Sequence, residues 1–366
     1  MILENKKLKY NTARERILDA ILSGSLEKDL MLPSEQKLAS HLGIGRNTLR
    51  TALRELEREG IIVKRNGRPS QVNPDALKEK KSPLRRIAWV DTTPIGQTNP
   101  IYFDIFRSFS DAAVIRNVKI DYISLITDDM AESFFGRQQE YDGLVLGEFT
   151  PPCRHYLNRI TLKNRVCVDC AHPGIPHCVK TDCYLGGQLA ARALVESGHS
   201  RLVCIRHKDS VVQYTPHRER LRGFSDFLAE AGIDLPQERI LEIKCAADED
   251  NFSEFLRRHL PILKKSDGVF ASYDKLGADT IHALRKLGFD IPGQISIVGF
   301  DGLILSRFLS PPLTTIRQPV EEIGKKALEI VLNPTESGSY PAIIQIPPAL
   351  LPGESILERK GKDKHL

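Results

Sequence analysis

The chain has 366 residues, of which 41% are hydrophobic and 27% charged, and its formal net charge is +5. This length predicts two or three domains, and the composition is typical of globular proteins. Because no run of about 18 apolar residues and no signal-peptide core is present, we expect neither a membrane span nor secretion. We therefore predict a cytoplasmic protein whose seven cysteines are reduced.

The excess positive charge is confined to the beginning of the chain. Residues 1–83 hold 17 Lys and Arg against 11 Asp and Glu, a net charge of +6, whereas the remainder holds 35 against 36, a net charge of −1. Phosphate binding requires such a local excess of cations. A small interaction module with a solvated charged face is the alternative, but it does not explain why the charge is confined to this segment.

Residues 10–72 contain the signals of a winged helix-turn-helix. A capping box at residues 12–15 predicts a first helix. Ser34 is placed to cap a second helix, and Gly43-Ile44-Gly45 makes the turn before a third. Residues 61–65 and 70–72 are expected to be strands, because Asn66-Gly67 between them is a strong hairpin signal.

The third predicted helix has one apolar and one polar face. The apolar stripe follows the spacing i, i+3, i+4, i+7 and consists of Leu49, Ala52, Leu53 and Leu56. The opposite face is polar and basic and collects Asn47, Arg50, Thr51, Arg54 and Arg58. A helix that enters the major groove needs such a face, with side chains near its N-terminus for base edges and cations for phosphates.

These motifs resemble the DNA-binding domain of GntR-type regulators. The resemblance rests on Leu32-Pro33-Ser34-Glu35, Gly45-Arg46-Asn47-Thr48-Leu49-Arg50, Leu56-Glu57 with Glu59-Gly60-Ile61, and Asn66-Gly67-Arg68. It implies that Arg46, Thr48 and Arg50 contact the major groove, and that Gly67 and Arg68 enter the minor groove. The chain departs from the family at Gln36, where Arg is usual, and at Gly45, where Ser or Thr is usual. The expected DNA-contacting set is Ser34, Gln36, Arg46, Asn47, Thr48, Arg50, Asn66, Gly67 and Arg68.

A Lys-rich stretch, NPDALKEKKSP at residues 73–83, has little apolar character and indicates a linker. We therefore predict a DNA-binding domain at residues 1–75, a linker at 76–84 and a second domain at 85–366.

The second domain alternates short apolar runs with helical patterns. Strands are predicted at residues 86–90, 120–126, 143–146, 165–169, 202–205, 240–243, 268–271 and 295–300. Helices are predicted at residues 103–114, 185–197, 218–231, 252–263, 276–287 and 320–332. This alternation predicts an α/β fold with two doubly wound, parallel-sheet lobes, in which a ligand binds at the carboxyl ends of the strands.

Aspartates follow four of the predicted strands: Asp91, Asp169, Asp274 and Asp301. A single aspartate there can simply cap the next helix. Four of them predict a cleft lined with hydrogen-bond acceptors, which suits a polyhydroxylated ligand.

The order of segments from about residue 85 to 350 resembles the sensor domain of LacI/GalR regulators and related sugar-binding proteins. The carrying motifs are Asn99-Pro100-Ile101-Tyr102-Phe103, Tyr141-Asp142-Gly143, Asp182 with Gly186-Gly187 and Gly198-His199, Arg220 with Gly223-Phe224, Ala271-Ser272-Tyr273-Asp274, Gly299-Phe300-Asp301-Gly302, and Pro312 to Pro319. The resemblance implies stacking by Tyr102 and Phe103. It implies polar ligand contacts from Asp169, Arg220, Asp274, Asp301 and Gln318, to which the strand-end pattern adds Asp91.

Two positions depart from that family. Tyr273 replaces the Asn that usually precedes the aspartate, and Cys170 stands where sugar binders often have Arg. A GntR-like reader joined to a LacI-like sensor resembles the arabinose-responsive repressors of Gram-positive bacteria. That architecture makes sugars the leading ligand class.

A cysteine-rich stretch, Cys167, Cys170, His177, Cys178 and Cys183, has residue types that bind zinc. Its spacing is poor for zinc, and cysteine is often simply a small buried residue, so we predict no metal and no cofactor. No Gly-x-Ser-x-Gly elbow, Walker A motif or dinucleotide fingerprint is present.

We therefore expect a DNA-binding repressor, not an enzyme. It should act as a homodimer, because one helix-turn-helix reads only a half-site. We expect a small polyhydroxylated effector to release it from double-stranded DNA. The alternatives are a ligand that acts as corepressor or activator, and a two-lobed sugar-processing enzyme with an accessory DNA-binding domain.

Overall fold

The structure is a computed structural model. It describes residues 13–14, 17–18, 21, 31–64, 70–73, 85–93, 99–149, 151–172, 174–207, 215–243, 249–333 and 342–359. The chain forms two compact units, residues 1–87 with 111–121, and residues 88–110 with 122–366. The predicted linker and wing tip lie outside the described residues, as do residues 12 and 15 of the predicted capping box, whereas residues 13–14 are helical. The domain boundaries at 75 and 85 therefore stay predictions.

The helix-turn-helix consists of helix α1, Glu35–Leu42, and helix α2, Arg46–Arg58. The Ser34 side chain accepts a hydrogen bond from the Lys37 N–H at the start of α1. Gly43 ends that helix at φ +63°, a left-handed conformation that costs glycine little. Gly45 caps α2 without a side-chain hydrogen bond.

The core of this domain is formed by the predicted apolar stripe. Leu49, Ala52, Leu53 and Leu56 are buried against Ile17 and Ile21 of a preceding helical segment. Strands β1, Ile62–Val63, and β2, Gln71–Val72, pair antiparallel and close one side of the core. The predicted strands 61–65 and 70–72 were longer: Ile61, Lys64 and Ser70 lie outside the observed strands, and residue 65 is not described.

The first lobe of the second domain is built on a six-stranded sheet. Its strands are β3 Arg86–Asp91, β4 Lys119–Ser124, β5 Gly143–Leu146, β6 Arg165–Val168, β7 His177–Thr181 and β13 Ala342–Ile346. The strand order is β13-β7-β6-β5-β3-β4. Helices in this lobe are α3, Pro100–Ile115, α4, Asp128–Arg137, and α10, Val320–Leu332.

The second lobe repeats this plan. Its strands are β8 Leu202–His207, β9 Ile240–Ile243, β10 Gly268–Ala271, β11 Ser296–Asp301, β12 Thr314–Arg317 and β14 Ala349–Leu351, in the order β14-β12-β11-β10-β8-β9. Its helices are α5 Cys183–Glu196, α6 Thr215–Glu230, α7 Glu249–Arg258, α8 Leu260–Leu263 and α9 Asp274–Lys286. Separate apolar clusters cover the two faces of the sheet, which confirms the predicted doubly wound lobe.

The chain passes between the lobes three times: at Asp182 after β7, at Gln318-Pro319 after β12, and at Pro347-Pro348 between β13 and β14. The sequence analysis did not predict β7, β12, β13, β14 or α4. All eight strands that it predicted in the second domain are confirmed, with ends that shift by up to two residues. The predicted helix 252–263 is divided in two at His259.

Helices α5 and α6 cross at very close range. A Cβ atom added to Gly187 would lie 2.1 Å from the carbonyl oxygen of Arg220, and one added to Gly223 would lie 1.9 Å from that of Tyr184. Only glycine fits at either position, so the two helices touch backbone to backbone. This contact fixes the position of α6 against α5, and with it the position of Arg220.

Candidate functional site

The candidate DNA-binding surface lies at the N-terminal end of α2. Arg46, Asn47 and Arg50 are exposed there, and Thr48 is half-buried. Ser34 and Gln36, at the start of α1, are also exposed. The structure therefore brings six of the nine expected DNA contacts to accessible positions, whereas Asn66, Gly67 and Arg68 lie outside the described residues.

Arg50 is held in place on this surface. Its Nε lies 2.8 Å from a carboxylate oxygen of Glu35, and its side chain is 58% exposed. An ion pair this exposed contributes only about 0–1 kcal/mol to stability. Its effect is rather to orient the guanidinium while leaving donors free for a phosphate or base edge.

A cavity of about 240 Å³ lies between the two lobes, at the carboxyl ends of their strands. We call it the interlobe cavity. Residues of the first lobe, of the second lobe and of the crossings line it together: Asn99, Ile101, Asp169, His207, His217, Arg220, Tyr273, Asp301 and Gln318. Four of these are predicted ligand contacts, namely Asp169, Arg220, Asp301 and Gln318.

Asp169 is positioned by the end of strand β6. Its backbone adopts φ +63°, a left-handed conformation, and its N–H donates to the carbonyl of Val179 at 3.0 Å. The hydroxyl of Tyr102 donates to Oδ2 of Asp169 at 2.9 Å. Tyr102 is only 2% exposed and is not among the lining residues. The structure therefore places Tyr102 behind the carboxylate rather than in a stacking position.

Arg220 is buried at the start of α6. Its guanidinium donates to the Ser272 carbonyl at 2.7 Å, lies 3.4 Å from Oδ1 of Asp301, and stacks 3.8 Å over the ring of Phe300. The Nε atom is also buried, yet no described residue accepts a hydrogen bond from it. A buried donor without an acceptor is costly, and a bound ligand can supply the missing acceptor.

Asp301 and Gln318 connect the cavity to two of the crossings. The Gln318 amide donates to Oδ1 of Asp301 at 2.8 Å, and the Thr181 hydroxyl donates to the Gln318 amide oxygen at 2.6 Å. Thr181 precedes the first crossing and Gln318 lies in the second. A ligand that contacts Asp301 or Gln318 therefore touches a hydrogen-bonded chain that joins two of the crossings between the lobes.

Besides Tyr102, three predicted ligand contacts lie away from the cavity lining. Asp274 is fully buried behind it, where its carboxylate accepts hydrogen bonds from the Leu303 N–H at 2.7 Å and from the hydroxyl of Thr315. The carboxylate of Asp91 accepts from Trp89, from Tyr122 and from the Glu148 N–H. Phe103 is 51% exposed and does not line the cavity.

Five lining residues were absent from the predicted ligand set: Asn99, Ile101, His207, His217 and Tyr273. Asn99 and Tyr273 belong to motifs that carried the resemblance, but neither was assigned a ligand role. His207 ends β8 and Tyr273 follows β10, and these neighbouring strands pair Ile205 with Ala271. Pairing these two strands would therefore have brought both rings to one place.

The cysteine-rich stretch is part of the protein core, with Cys167 and Cys178 in the apolar cluster of the first lobe and Cys183 in that of the second. Cys167, Cys170, Cys178 and Cys183 are buried and free, and the thiol of Cys167 donates to the His177 carbonyl at 3.3 Å. In the part of the chain that the structure describes, no three His, Cys, Asp or Glu side chains converge as a metal site requires.

Two family models match the chain. Residues 9–72 match bacterial regulatory proteins of the gntR family, and residues 191–356 match the periplasmic binding protein-like domain. The chain joins a gntR-type DNA-binding domain to a periplasmic-binding-protein-like sensor. It is thus a transcription regulator, and the resemblance seen in its motifs is confirmed for both domains.

Similar proteins share this arrangement. The regulator is 27% identical over 358 residues to the arabinose metabolism transcriptional repressor of Geobacillus stearothermophilus, covering 92% of this chain and 93% of that protein. It is also 27% identical over 244 residues to the ribose operon repressor of Escherichia coli K12, covering 64% of this chain and 72% of that protein. These families and relatives are regulators rather than enzymes.

Solved structures confirm the fold. The regulator superposes on a transcriptional regulator CelR–cellobiose complex with a TM-score of 0.62 and 23% identity, covering 88% of this chain and 99% of that one. A LacI family regulator from Enterococcus faecium with bound ribose matches with a TM-score of 0.61 and 20% identity, over 75% of this chain and 100% of that one. Among the described residues, no helix has both the length and the apolar character of a membrane crossing.

The buried carboxylate of Asp274 makes the stability of the regulator depend on pH. Burial and the nearby charge of Asp301 raise the pKa of Asp274 from 3.8 to about 8. The protonated form is therefore favoured by folding, so its stabilising contribution is present below pH 3.8 and is lost as pH rises through 8. Melting temperatures from pH 5 to pH 9 should fall less steeply for Asp274→Asn than for the wild type. Parallel profiles for the two proteins would contradict this assignment.

Proposed function

We propose that this regulator is a repressor that binds a DNA operator as a homodimer in the cytoplasm and is released by a small polyhydroxylated ligand. The observation that carries this proposal is the buried Nε of Arg220, which lacks an acceptor among the described residues of a cavity rich in carboxylates. Sugar hydroxyls both accept and donate hydrogen bonds, so they can satisfy Arg220 and the carboxylates together.

The names of similar proteins support the ligand class. Two relatives are repressors of ribose and arabinose genes, and two structural neighbours were solved with cellobiose and with ribose. A thermal-shift screen of the full chain against pentoses, hexoses and their phosphates tests the assignment. A sugar that binds the folded but not the unfolded chain raises the melting temperature, and the rise grows with the logarithm of the sugar concentration once that exceeds the Kd.

DNA reading is supported by the charge and exposure of α2. Replacing Arg50 by alanine should weaken operator binding by about 1–3 kcal/mol, since it removes a base or phosphate contact. Arg58, at the other end of the same helix, is the matched control. It is 77% exposed and paired with Glu55, so Arg58→Ala should have a much smaller effect.

The affinity of both variants for the operator is measured at several salt concentrations. Each lost phosphate contact should reduce the slope of log affinity against log salt concentration by about one. Ligand affinity should be unchanged in both variants. If Arg50→Ala and Arg58→Ala lost DNA affinity equally, the assignment of the N-terminal end of α2 as the DNA-contacting end would be wrong.

Two observations support homodimer formation, one on the DNA-binding domain and one on the sensor domain. A single helix-turn-helix reads only a half-site. On the sensor, Ile304 and Phe308 are 66% and 81% exposed on one short 3-10 helix, Ile304–Phe308. Such an apolar patch is characteristic of an interface. Sedimentation of the full chain reports its oligomeric state, and a monomer at micromolar concentration would contradict this part of the proposal.

A further inference from the structure

Glu148 follows strand β5 and is hydrogen-bonded to both ends of the connection between β3 and α3. Oε2 of its carboxylate accepts from the Thr93 hydroxyl and from the Asn99 N–H, each at 3.0 Å. Its backbone carbonyl accepts from the Thr92 N–H at 2.9 Å and from the Thr92 hydroxyl at 3.2 Å. Thr92 and Thr93 come directly after β3, and Asn99 comes directly before α3. A single residue of a different strand therefore holds both ends of this connection.

Asn99 in turn organises the first turn of α3. Its side-chain oxygen accepts from the Ile101 N–H at 3.1 Å, as an N-cap residue does, and its carbonyl accepts from the Tyr102 N–H at 3.0 Å. Asn99 and Ile101 line the interlobe cavity, and the Tyr102 hydroxyl donates to Asp169, which also lines it. The position of Asn99 therefore affects three groups that face or support the cavity.

The backbone of Glu148 is fixed by close packing against β3. Its N–H donates to Oδ1 of Asp91 at 2.6 Å, while Oδ2 accepts from Trp89 and from Tyr122. A Cβ atom added to Gly147 would lie 2.0 Å from Oδ1 of Asp91 and 2.6 Å from Nε1 of Trp89. Both of those side chains are buried and hydrogen-bonded, so only glycine fits beside them. Asp91, a predicted ligand contact, thus holds the backbone of Glu148.

The Glu148 carboxylate acts where the protein meets solvent. Glu148 is partly buried and Asn99 is exposed, so water can replace the carboxylate as the acceptor for the Asn99 N–H. Water satisfies the donor but does not fix its position. Removing the carboxylate should therefore change the folding stability little and loosen the first turn of α3.

We propose that Glu148 is a positioning residue that holds the start of α3 in place for ligand binding. It acts through Asn99 and does not itself line the cavity. A group that is already in place loses less conformational freedom when a ligand binds, which raises affinity. This inference rests on the proposed function, since it concerns the same cavity.

The first test is calorimetric titration of the full chain with D-ribose, L-arabinose, D-xylose and D-glucose. For the sugar that binds the wild type most tightly, Glu148→Ala should weaken binding by about ten-fold. Glu148→Gln keeps an acceptor oxygen at the same reach and should stay within about three-fold. Glu148→Asp keeps the charge but is one methylene shorter, so it should weaken binding as Glu148→Ala does.

Glu132 on α4 provides the matched control. It lies in the same lobe, its side chain is 66% exposed, and its carboxylate pairs with Arg159 away from the cavity lining. Glu132→Ala should bind the sugar as the wild type does. Melting curves of all four variants confirm that each one is folded before the titrations are compared.

The second test needs no ligand. Amide hydrogen exchange of residues 99–103 reports how often the first turn of α3 opens. Exchange there should be faster in Glu148→Ala and Glu148→Asp than in the wild type, and unchanged in Glu148→Gln and Glu132→Ala.

The outcomes separate this inference from the proposed function. If a sugar binds Glu148→Ala as tightly as it binds the wild type, or if exchange at residues 99–103 is unchanged, Glu148 has no positioning role, although the proposed function stands. An equal loss of affinity in Glu148→Gln and Glu148→Ala would also overturn the inference, since the accepted hydrogen bonds would not be the cause. If none of the four sugars binds the wild type, the proposed sugar effector loses its support, and the exchange rates alone decide the role of Glu148.

Discussion

Replacing Arg220 by alanine should abolish the response of DNA binding to the ligand. Arg220 is the one residue of the predicted ligand set whose buried donor lacks an acceptor among the described residues, and it also contacts Asp301 beside the second crossing. A ligand shifts the equilibrium between two arrangements of the lobes only if it makes different contacts with each arrangement. Loss of a principal contact should therefore reduce ligand affinity by about 100-fold, while the DNA-binding domain keeps its affinity for DNA.

This substitution leaves Asp301 buried without its cation, which can cost about 3–5 kcal/mol of folding stability. Arg220→Lys therefore accompanies it, because lysine keeps the charge but cannot reproduce the planar fork of donors. Arg222, two residues later and 72% exposed, is the matched control. Operator affinity is measured with and without ligand after the melting curves confirm folding. An Arg220→Lys protein that is released at the wild-type ligand concentration would contradict the role of Arg220.

Replacing Gly223 by alanine should destabilise the sensor and displace Arg220. The added Cβ would lie 1.9 Å from the Tyr184 carbonyl oxygen, a backbone atom, so α5 and α6 must move apart. Overpacking of this kind costs roughly 1–3 kcal/mol, and each kcal/mol lowers the melting temperature by about 2–4 °C in a domain of this size. Ligand affinity should fall as well, because Arg220 lies one turn before Gly223 on α6.

Gly136 provides the matched control. It also lies within a helix, but no atom comes within 4 Å of the position of its added Cβ. Gly136→Ala should therefore stabilise the protein by about 0.5–1 kcal/mol, the usual gain when alanine replaces glycine in a helix. If Gly223→Ala melted at or above the wild-type temperature, the close crossing of the two helices would be wrong.

The sequence predicted those elements whose apolar pattern is local. Every predicted strand formed, because runs such as 143–146 and 268–271 are uniformly apolar and fully buried. Strand β7 was missed because His177, Lys180 and Thr181 are polar, although all are buried. Lys180 is buried because Glu219, on α6 of the other lobe, binds its ammonium at 2.7 Å. The cost of burying a charged residue in a strand is thus offset by a partner far away in sequence, which a local pattern does not reveal.

The predicted ligand-binding residues stay a prediction, and the structure brings four of them, Asp169, Arg220, Asp301 and Gln318, to the lining of the interlobe cavity. Strand ends indicated Asp169 and Asp301, since parallel strands end at a common edge. Tyr102 and Phe103 were both assigned to stacking, but adjacent residues on a helix point about 100° apart and do not face the same way. Tyr102 turns inward to Asp169, whereas Phe103 is exposed. Tyr273 and His207 were missed because bringing them together requires the strand order β10-β8-β9, which is not the order of the sequence.

The most direct test of the account is the affinity of the full chain for DNA from the region upstream of its own gene, measured with and without the sugar that the thermal-shift screen identifies. We expect tight binding that weakens steeply with salt, and a ligand-induced loss of about 5–150-fold, the usual range of allosteric coupling. The Arg220→Lys variant should bind the same DNA but show no such loss. A sugar that saturates the interlobe cavity and leaves the wild-type affinity for DNA unchanged would contradict the account.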